Sequence, residues 1–176
     1  MRFRRGSTPL PPNAGNEFGW RAHQAIQGWT STVDTKASIA LVIETAVAAA
    51  ALRALITDTG PLHDATGLHL ATSIAAVTVL VLAVACALLV ILPRLDRGNA
   101  NGQCTGLIYF GHLRHCSIHS IADALAALTP EEERRQLAAQ LRVTSEVAWR
   151  KHDWLQRSFA LFPVGAALLV VAFTAF

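Results

Sequence analysis

LATSIAAVTVLVLAVACALLVIL, residues 70–92, runs for 23 positions without a charged side chain. At 1.5 Å of rise per residue, a helix of that length covers the roughly 30 Å hydrocarbon core of a bilayer. Pro93 and Arg94 follow, a residue that cannot continue the helix cheaply and a cation suited to the headgroups. The stretch therefore reads as a transmembrane helix, and the rest of the chain is interpreted around it.

Upstream, Ala37 to Ile56 is a second, alanine-rich span with Glu44 in its first half and Arg53 near its far end. Arg53 can snorkel to the interface. An ionised Glu44 at that depth costs on the order of 3 kcal/mol or more unless it is protonated, paired or turned to a bundle interior, which makes it the candidate functional residue within the membrane. Downstream, Phe159 to Phe176 supplies 18 uncharged residues, a third span, with Pro163 and Gly165 tolerated as they are in membrane helices. Hydrophobic residues make up 52% of the 176 and charged residues only 15%, against roughly 25% in a soluble domain, and the apolar residues come in blocks.

The connection after the first span holds Asp58 and Asp64 and no lysine or arginine, whereas the N-terminal arm carries Arg2, Arg4, Arg5, Arg21 and Lys36. The positive-inside rule then places the N-terminus and the connection between the second and third spans in the cytoplasm, and the C-terminus outside. No apolar stretch follows Met1-Arg-Phe-Arg-Arg for about thirty residues, so a cleaved signal is not expected. The arginines are scattered and the net charge is +3, which argues against a nucleic-acid partner.

The expected fold is an all-α integral membrane protein of the inner membrane, with three transmembrane helices and a helical cytosolic segment between the second and third. Its parts are a disordered arm (1–16), an interfacial helix (17–36), a two-helix membrane hairpin (37–92), the cytosolic segment (93–157) and the third transmembrane helix (158–176). Trp20 and Trp29 suit a headgroup position. DRGNANGQCT (96–105) reads as a loop, Leu107 to Phe110 as a strand turn or docked loop, and Ile121 to Leu128 as a short helix capped by Ser117 or Ser120. Thr129-Pro-Glu-Glu132 combines an N-cap hydroxyl, proline at the first helical position and glutamate three residues after the cap, a capping box that starts a long helix. Leu137, Leu141, Thr144, Ala148, Lys151 and Leu155 follow a four-three spacing that offers one face to a partner helix, and no breaker separates this helix from the third span.

His112, His115, Cys116 and His119 fall within eight residues, but without a second ligand pair they read as polar residues of a turn rather than as a zinc site. Cys86, Cys104 and Cys116 are expected to be reduced. No Ser-His-Asp order, phosphate-binding loop or HExxH appears, so neither catalysis nor a cofactor is expected. Asp34 as a helix cap, and cations with tryptophan at 149–152 as headgroup contacts, have plain explanations. The functional alternative is that these basic clusters join Tyr109 and His112 around an anionic ligand. The candidate ligand-binding residues are then Asp34, Lys36, Tyr109, His112, Arg114, Arg150 and Lys151.

VDTKAS (33–38), LIYFGHLRH (107–115) and LTPEEERRQLAAQLRVTSEVAWRKHDWLQ (128–156), in this order around three spans, resemble the transmembrane effectors of the Pycsar antiphage system from about Trp29 to Phe176. The resemblance implies a defence protein that senses cyclic CMP or cyclic UMP made by a partner pyrimidine nucleotide cyclase, and that then disrupts the membrane. Recurrent positions of such proteins fall here on Asp34 to Ala37, Tyr109 to Gly111 and Lys151-His152. No separate nucleotide-binding barrel is present, so the pocket has to come from the cytosolic residues or from an interface in a homo-oligomer. A membrane lesion requires several copies, since three helices enclose little space. A structural adaptor that docks a protein through its long helix is the alternative, and it would not call for a neighbouring cyclase gene. A small transporter subunit would need more intramembrane polar residues than Glu44.

Overall fold

In the computed structural model five helices follow one another among the described residues: α1 (Ala14–Ile56), α2 (Gly67–Ile91), α3 (Phe110–Leu113), α4 (Ile118–Ala126) and α5 (Pro130–Thr174). The structure describes residues 14–57, 67–92 and 106–174. Most of the N-terminal arm, the acidic connection after the first span and the 96–105 loop with Cys104 lie outside the described residues. No strand occurs among the described residues, and α1, α2 and α5 are each long and apolar enough to cross a bilayer.

The expected interfacial helix and first span are one helix, α1, because no proline interrupts residues 14–56. Asp34 is therefore a mid-helix residue and caps nothing. The long cytosolic helix and third span are likewise one helix, α5, which passes through Pro163 without ending. Its start follows the expected chemistry. The Glu132 backbone N–H donates to Thr129 Oγ1 at 3.2 Å, and Glu131, Glu132 and Glu133 in the first turn complement the positive helix end. The short helix starts three residues earlier than expected, at Ile118, with Ser117 as its N-cap accepting from the Ser120 N–H at 3.1 Å. Residues 107–109 are the docked segment of the two options, held where the Leu107 N–H donates to Gln136 Oε1 at 3.0 Å.

The chain divides into two compact units. The first takes α1 up to Gly28, α3, α4 and α5 up to Val147. In it the starts of α1 and α5 run parallel. Gly19 lies against Leu137 and Leu141, so closely that a Cβ there would sit 3.2 Å from Leu137 Cγ.

The second unit takes the rest of α1, α2 and α5 from Ala148 onward. Here α1 and α5 are again parallel and α2 runs against both. Val33, Ala37, Val90 and Leu155 form one cluster, and Ala48, Ala51 and Leu80 form another joined by Val47, Val77, Phe162 and Leu169. The four-three face continues past Leu155 through Ser158, Phe162, Gly165, Leu169 and Ala172, each buried or half-buried. It is covered within the same chain by α1 and α2 together. Ala48 and Ala51 pack within the chain, whereas Ala49 and Ala50 face outward.

This unit reverses the pattern of a water-soluble bundle. Val42 is 71% exposed and Val170 60%, while Glu44 is 2% exposed. Apolar side chains outside and a carboxylate inside suit lipid as the surrounding solvent. The hydroxyls of α2 return to their own helix: Ser73 Oγ donates to the His69 carbonyl at 2.8 Å and Thr78 Oγ1 to the Ile74 carbonyl at 2.8 Å.

Candidate functional site

In the second unit, Lys151 Nζ donates to both carboxylate oxygens of Asp34, at 2.6 and 2.8 Å. The side chains are 21% and 39% exposed. The pair joins two residues 117 apart in sequence. It locks the register of α1 against α5 and leaves neither charge idle. Lys36 and Arg150 are exposed. Arg157 pairs with Asp153 at 2.8 Å and lies over the Trp154 ring at 4.8 Å, an arrangement suited to the headgroup layer.

Further along the same helices Ser158 Oγ donates to Glu44 Oε1 at 2.6 Å. Ser158 is fully buried, and Glu44 Oε2 has no hydrogen-bond partner among the described residues. Glu44 thus faces the interior of a single protomer. Sequence reasoning missed Ser158, although a polar residue on the four-three face, one step beyond Leu155, was the available signal.

In the first unit, the Tyr109 and His112 rings meet edge to face, with centroids 5.2 Å apart. A Cβ on Gly111 would run into the Tyr109 ring, which explains the glycine of the Tyr-Phe-Gly motif. Alanine at Gly111 is expected to push Tyr109 off His112, measurable as a loss of the ring-current shift on the imidazole protons. Arg114 Nε donates to His115 Nε2 at 2.9 Å. Cys116 is disulfide-bonded, contrary to the expected reduced thiol, so it offers no thiolate to a metal. The seven candidate ligand residues therefore divide. Asp34 and Lys151 are joined, with Lys36 and Arg150 in the same unit, whereas Tyr109, His112 and Arg114 belong to the other.

Two further groups in the first unit were not expected. The Glu133 carboxylate receives Trp20 Nε1 on Oε1 at 2.8 Å and Asn16 Nδ2 on Oε2 at 2.7 Å, while Asn16 Oδ1 accepts from Arg134 Nε at 3.2 Å. Trp20 thus serves as a link between helices rather than as a headgroup anchor. The hydrogen bonds from Trp20 and Asn16 hold the Glu133 carboxyl below its ordinary 4.5. With the folded value depressed, the clasp contributes stability above the unfolded value and loses it as pH falls through the folded one. The Trp20 indole N–H resonance is expected to titrate at a pH below the ordinary value of a glutamate, and Glu133→Gln is expected to remove that titration. A resonance that titrates identically in both proteins contradicts the clasp.

The second group lines a cleft of about 340 Å3 formed by Leu107, Ala124, Leu128, Glu132, Arg135 and Gln136. Glu132 accepts from Arg135 Nη2 at 3.0 Å and from Gln136 Nε2 at 3.2 Å, contacts that hold its carboxyl below the ordinary value. Only the capping role of Glu132 was legible beforehand.

Comparison with curated proteins and with solved structures finds no match. A family model described as the Pycsar effector protein domain matches residues 18–176, all but the N-terminal arm and the first turn of α1. The chain therefore belongs to the Pycsar effector family, antiphage defence effectors that carry transmembrane helices.

Proposed function

We propose that this effector senses a cyclic pyrimidine mononucleotide, cyclic CMP or cyclic UMP, and responds by disrupting the inner membrane, which halts the infected cell. A pyrimidine nucleotide cyclase supplies the signal, and several copies of the chain assemble to make the lesion. The N-terminus and the 93–157 segment face the cytoplasm, and the C-terminus lies outside. The protein acts by rearranging its helices and not by catalysis.

The observation that carries the reading is the course of α1 and α5. Each supplies residues to both units, and in the second each contributes one half of the buried Glu44–Ser158 pair and one half of the Asp34–Lys151 ion pair. A change at the cytosolic end of either helix is thereby tied to a polar contact inside the span. Turning Glu44 out of the bundle would bring a carboxylate to an interface between copies, where it could admit water and ions. The four-three face that would dock a protein in the adaptor alternative is covered within the chain by α1 and α2, which favours the effector reading.

Cells that contain the effector and an active pyrimidine cyclase are expected to lose membrane potential, and cells with an inactivated cyclase to keep it. Glu44→Gln is expected to change the toxicity while leaving the amount inserted in the membrane unaltered. Loss of potential regardless of cyclase activity would sink the gating reading. Equal toxicity of the two proteins would return Glu44 to passive packing.

A further inference from the structure

We infer that the cleft above the first turns of α5 is where the cyclic nucleotide binds, with Arg135 taking the phosphate, Glu132 the ribose hydroxyl and Gln136 the base edge. This assignment rests on the reading of the protein as a nucleotide-gated effector.

The volume of about 340 Å3 falls within the range of roughly 300–1,000 Å3 typical of small-molecule sites. A cyclic mononucleotide presents a singly charged phosphodiester, a hydroxyl on the sugar and a flat ring with hydrogen-bonding edges. The cleft offers a complement to each. Leu107, Ala124 and Leu128 make an apolar wall against which a ring can lie. Glu132, Arg135 and Gln136 stand at i, i+3 and i+4 of one helix, so their heads converge on one face. A guanidinium matches phosphate oxygens with a planar fork, a carboxylate accepts from a hydroxyl, and a primary amide both donates and accepts.

The present contacts are those of a site at rest. The Arg135 side chain is 80% exposed and commits Nη2 to Glu132, a surface pair that a phosphate can replace at little cost. Gln136 is already oriented, with its oxygen on the Leu107 N–H and its nitrogen on Glu132. Glu133, the residue between Glu132 and Arg134, grips Asn16 and Trp20 of α1. Ligand bound on the adjacent turn would therefore pull on the α1–α5 clasp, so that occupancy of the cleft reaches the helices that cross the membrane.

The test measures binding of cyclic CMP and of cyclic UMP to the full chain in lipid nanodiscs, with Arg135→Ala, Gln136→Leu and Arg142→Ala compared with the parent. Arg142 lies on the same helix outside the cleft and pairs with Glu146. Arg135→Ala is expected to weaken binding at least about tenfold, the loss of one charge-assisted contact. Gln136→Leu should shift the preference between the two nucleotides, and Arg142→Ala should bind as the parent does. The Trp20 indole signal should move on binding to the parent. Unchanged affinity in both cleft variants, with helix content preserved, would overturn the cleft assignment and leave the gating reading standing. A parent that binds neither nucleotide would overturn both.

Discussion

Leucine in place of Gly165 will destabilise the protein by about 3 kcal/mol or more, the upper end of what overpacking a filled core costs. A Cβ at that position would sit 2.8 Å from Leu80 Cγ, 2.9 Å from Leu80 Cδ2 and 3.1 Å from the Leu80 backbone nitrogen. The side-chain atoms can rotate aside, but Leu80 is fully buried, and the backbone nitrogen can yield only if α2 moves away from α5. Association of helices in lipid depends on close packing because water drives nothing there, so a forced separation is felt across the whole second unit. Gly28 is the control. A Cβ there meets nothing within 4 Å, and Gly28→Ala should stabilise by up to about 1 kcal/mol through helix propensity alone. Detergent-induced unfolding in mixed micelles measures both. Equal stabilities of the Gly165 variant and the parent would contradict the register of α2 against α5.

Removing the Ser158 hydroxyl with Ser158→Ala will destabilise the same unit by about 1–3 kcal/mol, because it strands a buried acceptor. Glu44 is 2% exposed, and Ser158 is its one hydrogen-bond donor among the described residues. Glu44→Leu combined with Ser158→Ala should recover most of that loss, since replacing both members of a buried polar pair with apolar groups is often neutral or stabilising. The double variant is then expected to be stable and functionally inert. A stable double variant with full toxicity would show that the pair serves structure alone. Additive losses in the two single variants and the double would show that the two side chains do not interact.

The membrane architecture was legible because lipid imposes length and polarity on each span, and residues 70–92, 37–56 and 159–176 meet both requirements. Helix continuity was half visible. The lack of a breaker before Phe159 predicted α5, but the reading of Asp34 as a cap hid the equal continuity of α1. The four-three pattern from Leu137 predicted a seam without saying which helix would fill it, since periodicity marks a face and not its partner. The candidate site was less legible. Asp34 and Lys151 belong to one set of candidate ligand residues, and the structure joins them to each other, a pairing across 117 residues that local spacing cannot reveal. The cleft escaped notice because its wall is assembled from three segments, and Glu132, Arg135 and Gln136 look like ordinary solvated residues of a first turn.

The central claim, that a cyclic pyrimidine nucleotide opens the membrane through this protein, is tested most directly with the purified chain in dye-loaded liposomes. Addition of cyclic CMP or cyclic UMP is expected to release dye with one of the two, while the linear monophosphates release none and empty liposomes stay intact. Retention of dye at saturating concentrations of both cyclic nucleotides would contradict the account.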